Sequence, residues 1–170
     1  MAHVDIRAGS AADADFLVGM FDEAVAWMTA RGQGAQWGTQ PWSEQPDKVK
    51  RVHQMAGELE LWIAYFEQAP AGALALSEQP PSYVQPASGR ELYVRLLITS
   101  RKCAGNGIGA ALLDHARAQA RQRSIDLVRV DCWAGAEGRL IDYYVRNGFT
   151  PTERFDVKGW PGQILEDRQV

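Results

Sequence analysis

The sequence predicts a single α/β domain, and three observations predict it. Apolar residues recur at three- and four-residue spacing in some segments and form alternating or short continuous runs in others. Those segments follow one another in the order β-α-α-β-β-β-α-β-α-β-β, with no internal repeat, low-complexity tract or second-domain linker. A glycine loop, Ala104-Gly105-Asn106-Gly107-Ile108-Gly109, leads from a strongly apolar strand into a helix.

Val4 to Ala8 alternates like a short strand. Ser10 and Asp13 match the capping-box pattern, so a helix is expected to start there. Phe16, Leu17, Met20, Ala24, Trp27 and Met28 give it one apolar face, and Arg31-Gly32 gives it a stop. Residues 32–46, rich in Gly, Gln, Trp and Pro, read as a surface loop, and a shorter helix fits 47–56. Strands follow at 59–66 and 71–76, broken at Gln68-Ala69-Pro70. Residues 78–89 hold prolines and read as irregular, and 91–99 is an apolar strand. Ile108, Leu112, Ala116 and Ala120 mark a helix over about 107–123, and 127–132 is the next strand. A helix over 137–146 stops at Asn147-Gly148. Strands 149–157 and 163–169 are then expected to pair across Gly159-Trp160-Pro161-Gly162.

Composition narrows the function classes. The 170 residues are 46% hydrophobic and 23% charged, enough to bury a core without staples. A net charge of -3 offers no electrostatic footprint for nucleic acid. The N-terminal residues lack a basic region followed by an apolar one, and the longest apolar runs, such as 61–66, are too short to span a bilayer. The expectation is a soluble cytoplasmic protein with Cys103 and Cys132 reduced. His3, His53 and His115 are scattered without ligand spacing, so no metal site is expected.

The glycine loop is the chemically informative segment. A helix N-terminus carries unpaired N–H groups and partial positive charge, and glycines let the backbone approach a diphosphate. Gly105, Gly107 and Gly109 exceed what one tight turn requires. Gly105, Gly107 and Ala110 also satisfy the dinucleotide fingerprint G-x-G-x-x-[GA], with Asp126 about twenty residues on. Two features weigh against a dinucleotide. A doubly wound fold needs further βα units after the loop, and only one more helix follows. Asp126 also opens the next strand, whereas a ribose-binding acid belongs at its end.

Together these segments resemble the GNAT superfamily of acyl-CoA-dependent N-acetyltransferases. Its motif A, a strand, then [RQ]-x-x-G-x-[GA], then a helix, falls on Ala104 to Gly109. A Tyr-x-x-x-Gly-Phe signature falls on Tyr144 to Phe149. The element order is also the family's, so the resemblance implies a mixed, mostly antiparallel sheet flanked by helices. Two departures stand out. Ala104 replaces the usual Arg or Gln, leaving Arg101 and Lys102 as helpers for phosphate charge. Gly135 to Glu137 stand where the family has an Asn.

The resemblance implies the following chemistry. Acetyl-CoA is the co-substrate, bound by Leu97, Ile98 and Thr99 on the strand and by Ala104, Gly105, Asn106, Gly107, Ile108 and Gly109 in the loop. A primary amine attacks the thioester directly, and a backbone N–H stabilises the oxyanion. Tyr144 is the general acid for the departing thiolate, while Tyr143 is left to packing. Glu91 is taken over Asp131 and Glu78 as the general base. Trp37, Trp42 and Trp133 are expected to wall the acceptor site, and a homodimer is the expectation by analogy. A non-catalytic acyl-CoA-binding sensor or interaction module is the alternative, with a nucleotide-binding Rossmann protein behind it.

Overall fold

The computed structural model describes residues 3–168 and 170. Met1, Ala2 and Gln169, the last being the expected end of the final strand, lie outside the described residues. The elements are β1 (Val4–Ala8), α1 (Ala14–Ala30), α2 (Pro46–Glu58), β2 (Glu60–Phe66), β3 (Ala69–Ser77), β4 (Leu92–Thr99), α3 (Ile108–Gln122), β5 (Val128–Trp133), α4 (Arg139–Arg146), β6 (Thr150–Val157) and β7 (Trp160–Asp167). Their order along the chain is the one read from sequence. They form a mixed, mostly antiparallel seven-stranded sheet in the order β1-β2-β3-β4-β5-β7-β6, flanked by helices. Among the described residues, no helix is long and apolar enough to cross a membrane.

The Cα positions group into two compact units. The first comprises Met1–Leu76 and Leu96–Leu112. Here β1, β2 and β3 form an antiparallel meander. The expected capping box is present, with Ser10 Oγ accepting from Ala12 N and Asp13 Oδ2 accepting from Ser10 N. It caps a single 3-10 turn, Ala11–Asp13, and α1 begins only at Ala14. Leu17, Phe21 and Val25 of α1 and Val52 of α2 pack with Leu61, Ile63, Ala73, Leu96 and Ile98 from the strands. Burial of each large apolar side chain contributes about 1.5–3 kcal/mol, so this cluster holds the helices on the strands.

The second unit comprises Ser77–Arg95 and Leu113–Val170. Here β4 runs parallel to β5 from Leu92↔Val128 to Val94↔Val130, and β5-β7 and β7-β6 are antiparallel. The described parallel ladder ends at Val94↔Val130, so Arg95 and Asp131 are the first residues beyond it.

Three boundaries differ from the sequence reading, each because of left-handed backbone. Glu67 and Gln68, at φ 50° and 68°, close a two-residue hairpin, so β3 starts at Ala69 and includes Pro70. Lys158 and Gly159, at φ 51° and 86°, close the β6–β7 hairpin in the same way. Pro161 and Gly162 therefore lie inside β7 rather than in the turn. Gly162 is opposite Phe155, whose ring stands 2.1 Å from where a Cβ would be, so the aromatic ring covers the glycine. Finally, Ala136, Glu137 and Gly138 all have positive φ, which delays α4 to Arg139.

Candidate active site

In the first unit, β4 delivers the chain to the glycine loop. Leu96 and Ile98 are buried in the core, while Leu97 and Thr99 are half-buried on the opposite side of the strand. Gly72 of β3 fixes how closely the end of β4 approaches. A Cβ there would lie 2.9 Å from the Ile98 carbonyl oxygen and 3.0 Å from Ile108 Cγ2. The spacing of β3, the end of β4 and the start of α3 therefore depends on that missing methyl. Gly72→Ala is expected to destabilise the protein by about 1–3 kcal/mol through overpacking, measured by urea unfolding.

The loop entrance is fastened to α1. Glu23 Oε1 accepts from Ser100 Oγ at 3.0 Å and from the Arg101 N–H at 2.6 Å. Ser100 N–H donates to Ala71 O at 2.7 Å. The Arg101 guanidinium lies 3.9 Å above the Trp27 ring, and Arg31 stacks on that ring at 4.1 Å. Lys102 stays exposed beside the loop.

Within the loop, Gly105 and Gly107 have φ 83° and 72°, and an added Cβ at either would meet nothing within 4 Å. Only glycine takes this backbone without strain, and the space beside it is open. The exposed run Ala104 to Gly107 then opens α3, whose first N–H groups, from Ile108, Gly109 and Ala110, have no acceptor within the helix. Backbone donors, a helix N-terminus and open space are what a diphosphate requires. Cys103, the residue before the loop, is half-buried and unbridged.

The two tryptophans expected to wall an acceptor sit together in this unit. Trp42 is buried at 5% exposure and stacks on Phe21 with centroids 4.1 Å apart. Its Nε1 donates to Trp37 O, and Trp37 packs against the same Phe21 ring at 5.0 Å. Their observed contacts are those of core packing, with Trp37 the more exposed of the pair.

In the second unit, the Tyr-x-x-x-Gly-Phe signature is a helix stop. Phe149 N–H donates to Tyr144 O and Gly148 N–H to Val145 O, the two hydrogen bonds of a Schellman motif. Gly148 supplies the required left-handed residue at φ 94°. The Tyr144 and Phe149 rings meet edge to face at 5.8 Å, completing the motif's hydrophobic contact. The signature thereby fixes the turn that carries Tyr144. This tyrosine is buried, and burial pushes its pKa well above the ordinary 10.0, with Cys132 and Tyr143 adding to the effect. The phenol is a proton donor throughout the neutral range. Burial likewise pushes the Cys132 thiol up to about 12.

Glu91 is buried at 3% exposure with both oxygens engaged. Oε2 accepts from Ala87 N at 2.7 Å, and Oε1 pairs with Arg129 at 2.9 Å. Arg129 also donates to Gln85 O, so this pair anchors the 78–91 segment. Glu78 is paired with Arg90 at 2.8 Å, which lowers its pKa. Asp131, by contrast, accepts from two phenols: Tyr93 at 2.6 Å and Tyr83 at 3.2 Å. Trp133 is buried, its ring folded over Gly135, where a Cβ would stand 2.1 Å from it. Gly135 to Glu137, where the family's Asn is missing, lead into α4: Gly135 is extended, and Ala136 and Glu137 are left-handed.

The sequence reading missed Gly72, Glu23 and the Tyr83–Asp131–Tyr93 cluster. A lone glycine inside a strand was the available signal for the first. Glu23 and the tyrosines meet partners far along the chain and carry no local signal.

The family model described as the acetyltransferase (GNAT) family matches residues 22–149. No curated protein sequence matches the chain. Among solved structures, a GNAT-family acetyltransferase from Listeria monocytogenes superposes with a TM-score of 0.71 at 20% identity, covering 96% of this chain and 94% of that one. The PaiA N-acetyltransferase of Thermoplasma acidophilum, solved in complex with coenzyme A, gives 0.65 at 16% identity, with 98% and 99% covered. The protein yncA of Salmonella typhimurium, solved with its cofactor acetyl-CoA, gives 0.64 at 13% identity, with 99% and 95% covered.

Proposed function

The chain belongs to the acetyltransferase (GNAT) family, and we propose that it moves an acetyl group from acetyl-CoA to a primary amine. The observation that carries this reading is the loop geometry: left-handed Gly105 and Gly107, with open space beside them, feeding directly into α3. The coenzyme A and acetyl-CoA bound by two structurally similar proteins support the same ligand here.

When bound, acetyl-CoA supplies the activated acetyl thioester. Ala104 to Gly109 hold its diphosphate through backbone N–H groups, and Leu97, Ile98 and Thr99 receive the pantetheine arm. A β4 N–H stabilises the developing oxyanion. Tyr144 gives its proton to the departing thiolate; its burial and raised pKa support that role. A carboxylate takes the proton that the ammonium must lose. Glu91 can serve only by releasing Arg129 or Ala87, whereas Asp131 has a carboxyl pKa raised by burial, which suits a proton acceptor. Trp37 and Trp133 are proposed to limit the acceptor's shape, with Trp42 supporting Trp37 from the core. Cytoplasmic location and a homodimer belong to the same proposal.

Ala104 leaves no side-chain contact at the first position of the loop, so phosphate charge falls to Lys102 and Arg101. Because Arg101 is stacked on Trp27, Lys102 carries more of it. Replacing both with alanine is expected to weaken coenzyme A binding about fivefold to tenfold, roughly 1 kcal/mol for an exposed ion contact. Calorimetry would detect this, and the loss should shrink in high salt. Unchanged affinity would show that backbone amides alone suffice.

The deciding experiment is a screen of primary amines against acetyl-CoA with detection of free thiol. Amine-dependent thiol release is expected. Tight coenzyme A binding without release from any amine would instead favour an acyl-CoA-binding module. Thermal stabilisation by NAD but not by acetyl-CoA would favour a dinucleotide protein.

A further inference from the structure

Asp131 occupies a place in the second unit that is unusual for a carboxylate. It lies on β5 just past the last rung of the parallel ladder with β4, among Val130, Cys132 and Trp133. It is half-buried, yet among the described residues it forms no ion pair. Its partners are phenols. Tyr93 OH donates to Oδ2 at 2.6 Å, and Tyr83 OH donates to Oδ1 at 3.2 Å and Oδ2 at 3.4 Å. Two O–H donors favour the ionised form without placing a cation in direct contact with it.

Two arginines, Arg95 and Arg129, act on the carboxylate at longer range without forming an ion pair with it. Arg129 is balanced by Glu91 at 2.9 Å, and Arg95 donates to Gln79 O. Further aromatic rings adjoin the Tyr83 end of the cluster. Tyr83 is 48% exposed and packs against Phe155 with centroids 5.4 Å apart; Trp160 follows at 6.2 Å from Phe155. Val84, Tyr93, Ile164 and Phe155 form the apolar cluster beneath. A half-buried carboxylate with no cation in direct contact, held by two phenols beside further aromatic rings, fits an organic ammonium: the charge pairs with the carboxylate, and the rings take up the apolar body and part of the charge.

We propose that Asp131, with Tyr83, Tyr93 and Phe155, binds the ammonium group of an acceptor whose body is apolar or aromatic. The proposal rests on the acetyl-transfer reading and gives it a substrate class. Tyr93 holds Asp131 from the buried side, and Tyr83 forms the exposed side of the site, within a segment fastened at Gln79, Gln85 and Ala87.

The test titrates the full chain calorimetrically with 2-phenylethylamine and with its neutral counterpart, 2-phenylethanol. The wild type is expected to bind the ammonium at least tenfold more tightly than the alcohol, and Asp131→Asn is expected to abolish that preference while acetyl-CoA affinity stays unchanged. Tyr83→Ala changes an exposed side chain. It is expected to weaken the ammonium at least threefold with the protein folded, so it decides the matter even if Asp131→Asn does not fold. Equal affinity of the wild type for amine and alcohol would overturn the proposal. So would a preference that survives both substitutions. Failure of acetyl-CoA to bind the wild type would instead overturn the acetyl-transfer reading, whatever the amine does.

Discussion

Tyr144→Phe is expected to lower the turnover number for acetyl transfer about 10²–10⁴-fold, the usual worth of a positioned general acid or base. Acetyl-CoA affinity is expected to stay the same, because the proposed role of the phenol is on the leaving thiolate rather than on the diphosphate. The substitution keeps the ring, so the edge-to-face contacts with Tyr143 at 5.4 Å and Phe149 at 5.8 Å persist. Stability should change by no more than about 1 kcal/mol, the net value of one hydrogen bond. Thiol release under saturating acetyl-CoA measures the first effect, and calorimetry the second.

The pH dependence adds a separate check. An acid catalyst must be protonated, so its contribution is lost as pH rises through its folded pKa. Burial raises that pKa above 10.0, which places the alkaline decline due to Tyr144 above pH 10. A wild-type rate that already falls near pH 8, with Tyr144→Phe equally sensitive, would assign the proton to another group. A variant with unchanged turnover would remove Tyr144 from the reaction and leave it as the buried end of a helix stop.

The legibility of the sequence follows the range of the interactions. Element order was readable because apolar periodicity is local: Leu17, Phe21 and Val25 share a helix face, and Val128 and Val130 alternate on a strand. Glycine identities also carry conformational information, which is why Gly105, Gly107 and Gly148 were found where φ is positive. The same logic failed at Glu67-Gln68, where side-chain-bearing residues take left-handed backbone because the hairpin twist demands it. It failed again at Gly162, a glycine required by the Phe155 ring rather than by a turn.

Site residues divide the same way. The glycine loop is one continuous segment, so its conformation could be read whole. Glu23 meets Ser100 and Arg101 some 77 and 78 residues away, and Asp131 meets Tyr93 and Tyr83 at separations of 38 and 48. No spacing rule anticipates such pairs. Glu91 shows the converse: a carboxylate in the right region looked available from sequence, but folding pairs it with Arg129 and Ala87.

Arg117→Ala is expected to destabilise the protein by about 3–5 kcal/mol, the range for breaking a buried ion pair from one side. The Arg117 side chain is 14% exposed and makes three hydrogen bonds and one ring contact. Its Nε donates to Asp167 at 2.7 Å, where the carboxylate is 8% exposed, and its Nη1 donates to Asp114 at 2.9 Å. Its Nη2 donates to the Asn147 carbonyl at the end of α4, and the plane lies 5.0 Å from the Phe149 ring centre. Alanine would take the guanidinium from Asp167 and from a helix-terminal carbonyl together, and would open a void beside Phe149. For a chain of this length the thermal midpoint should fall by about 10 °C, at roughly 2–4 °C per kcal/mol. Arg117→Met, which keeps most of the packing, should recover only part of the loss. A double-mutant cycle with Asp167→Asn should return a coupling above about 1 kcal/mol. A midpoint shift below about 3 °C would mean that the pair contributes no more than a surface bridge. Because Arg117 grips the residues that close the Schellman turn, its loss should also loosen Tyr144. Below the new midpoint, turnover should therefore fall more than acetyl-CoA affinity, joining a stability defect to a catalytic one through the single carbonyl of Asn147.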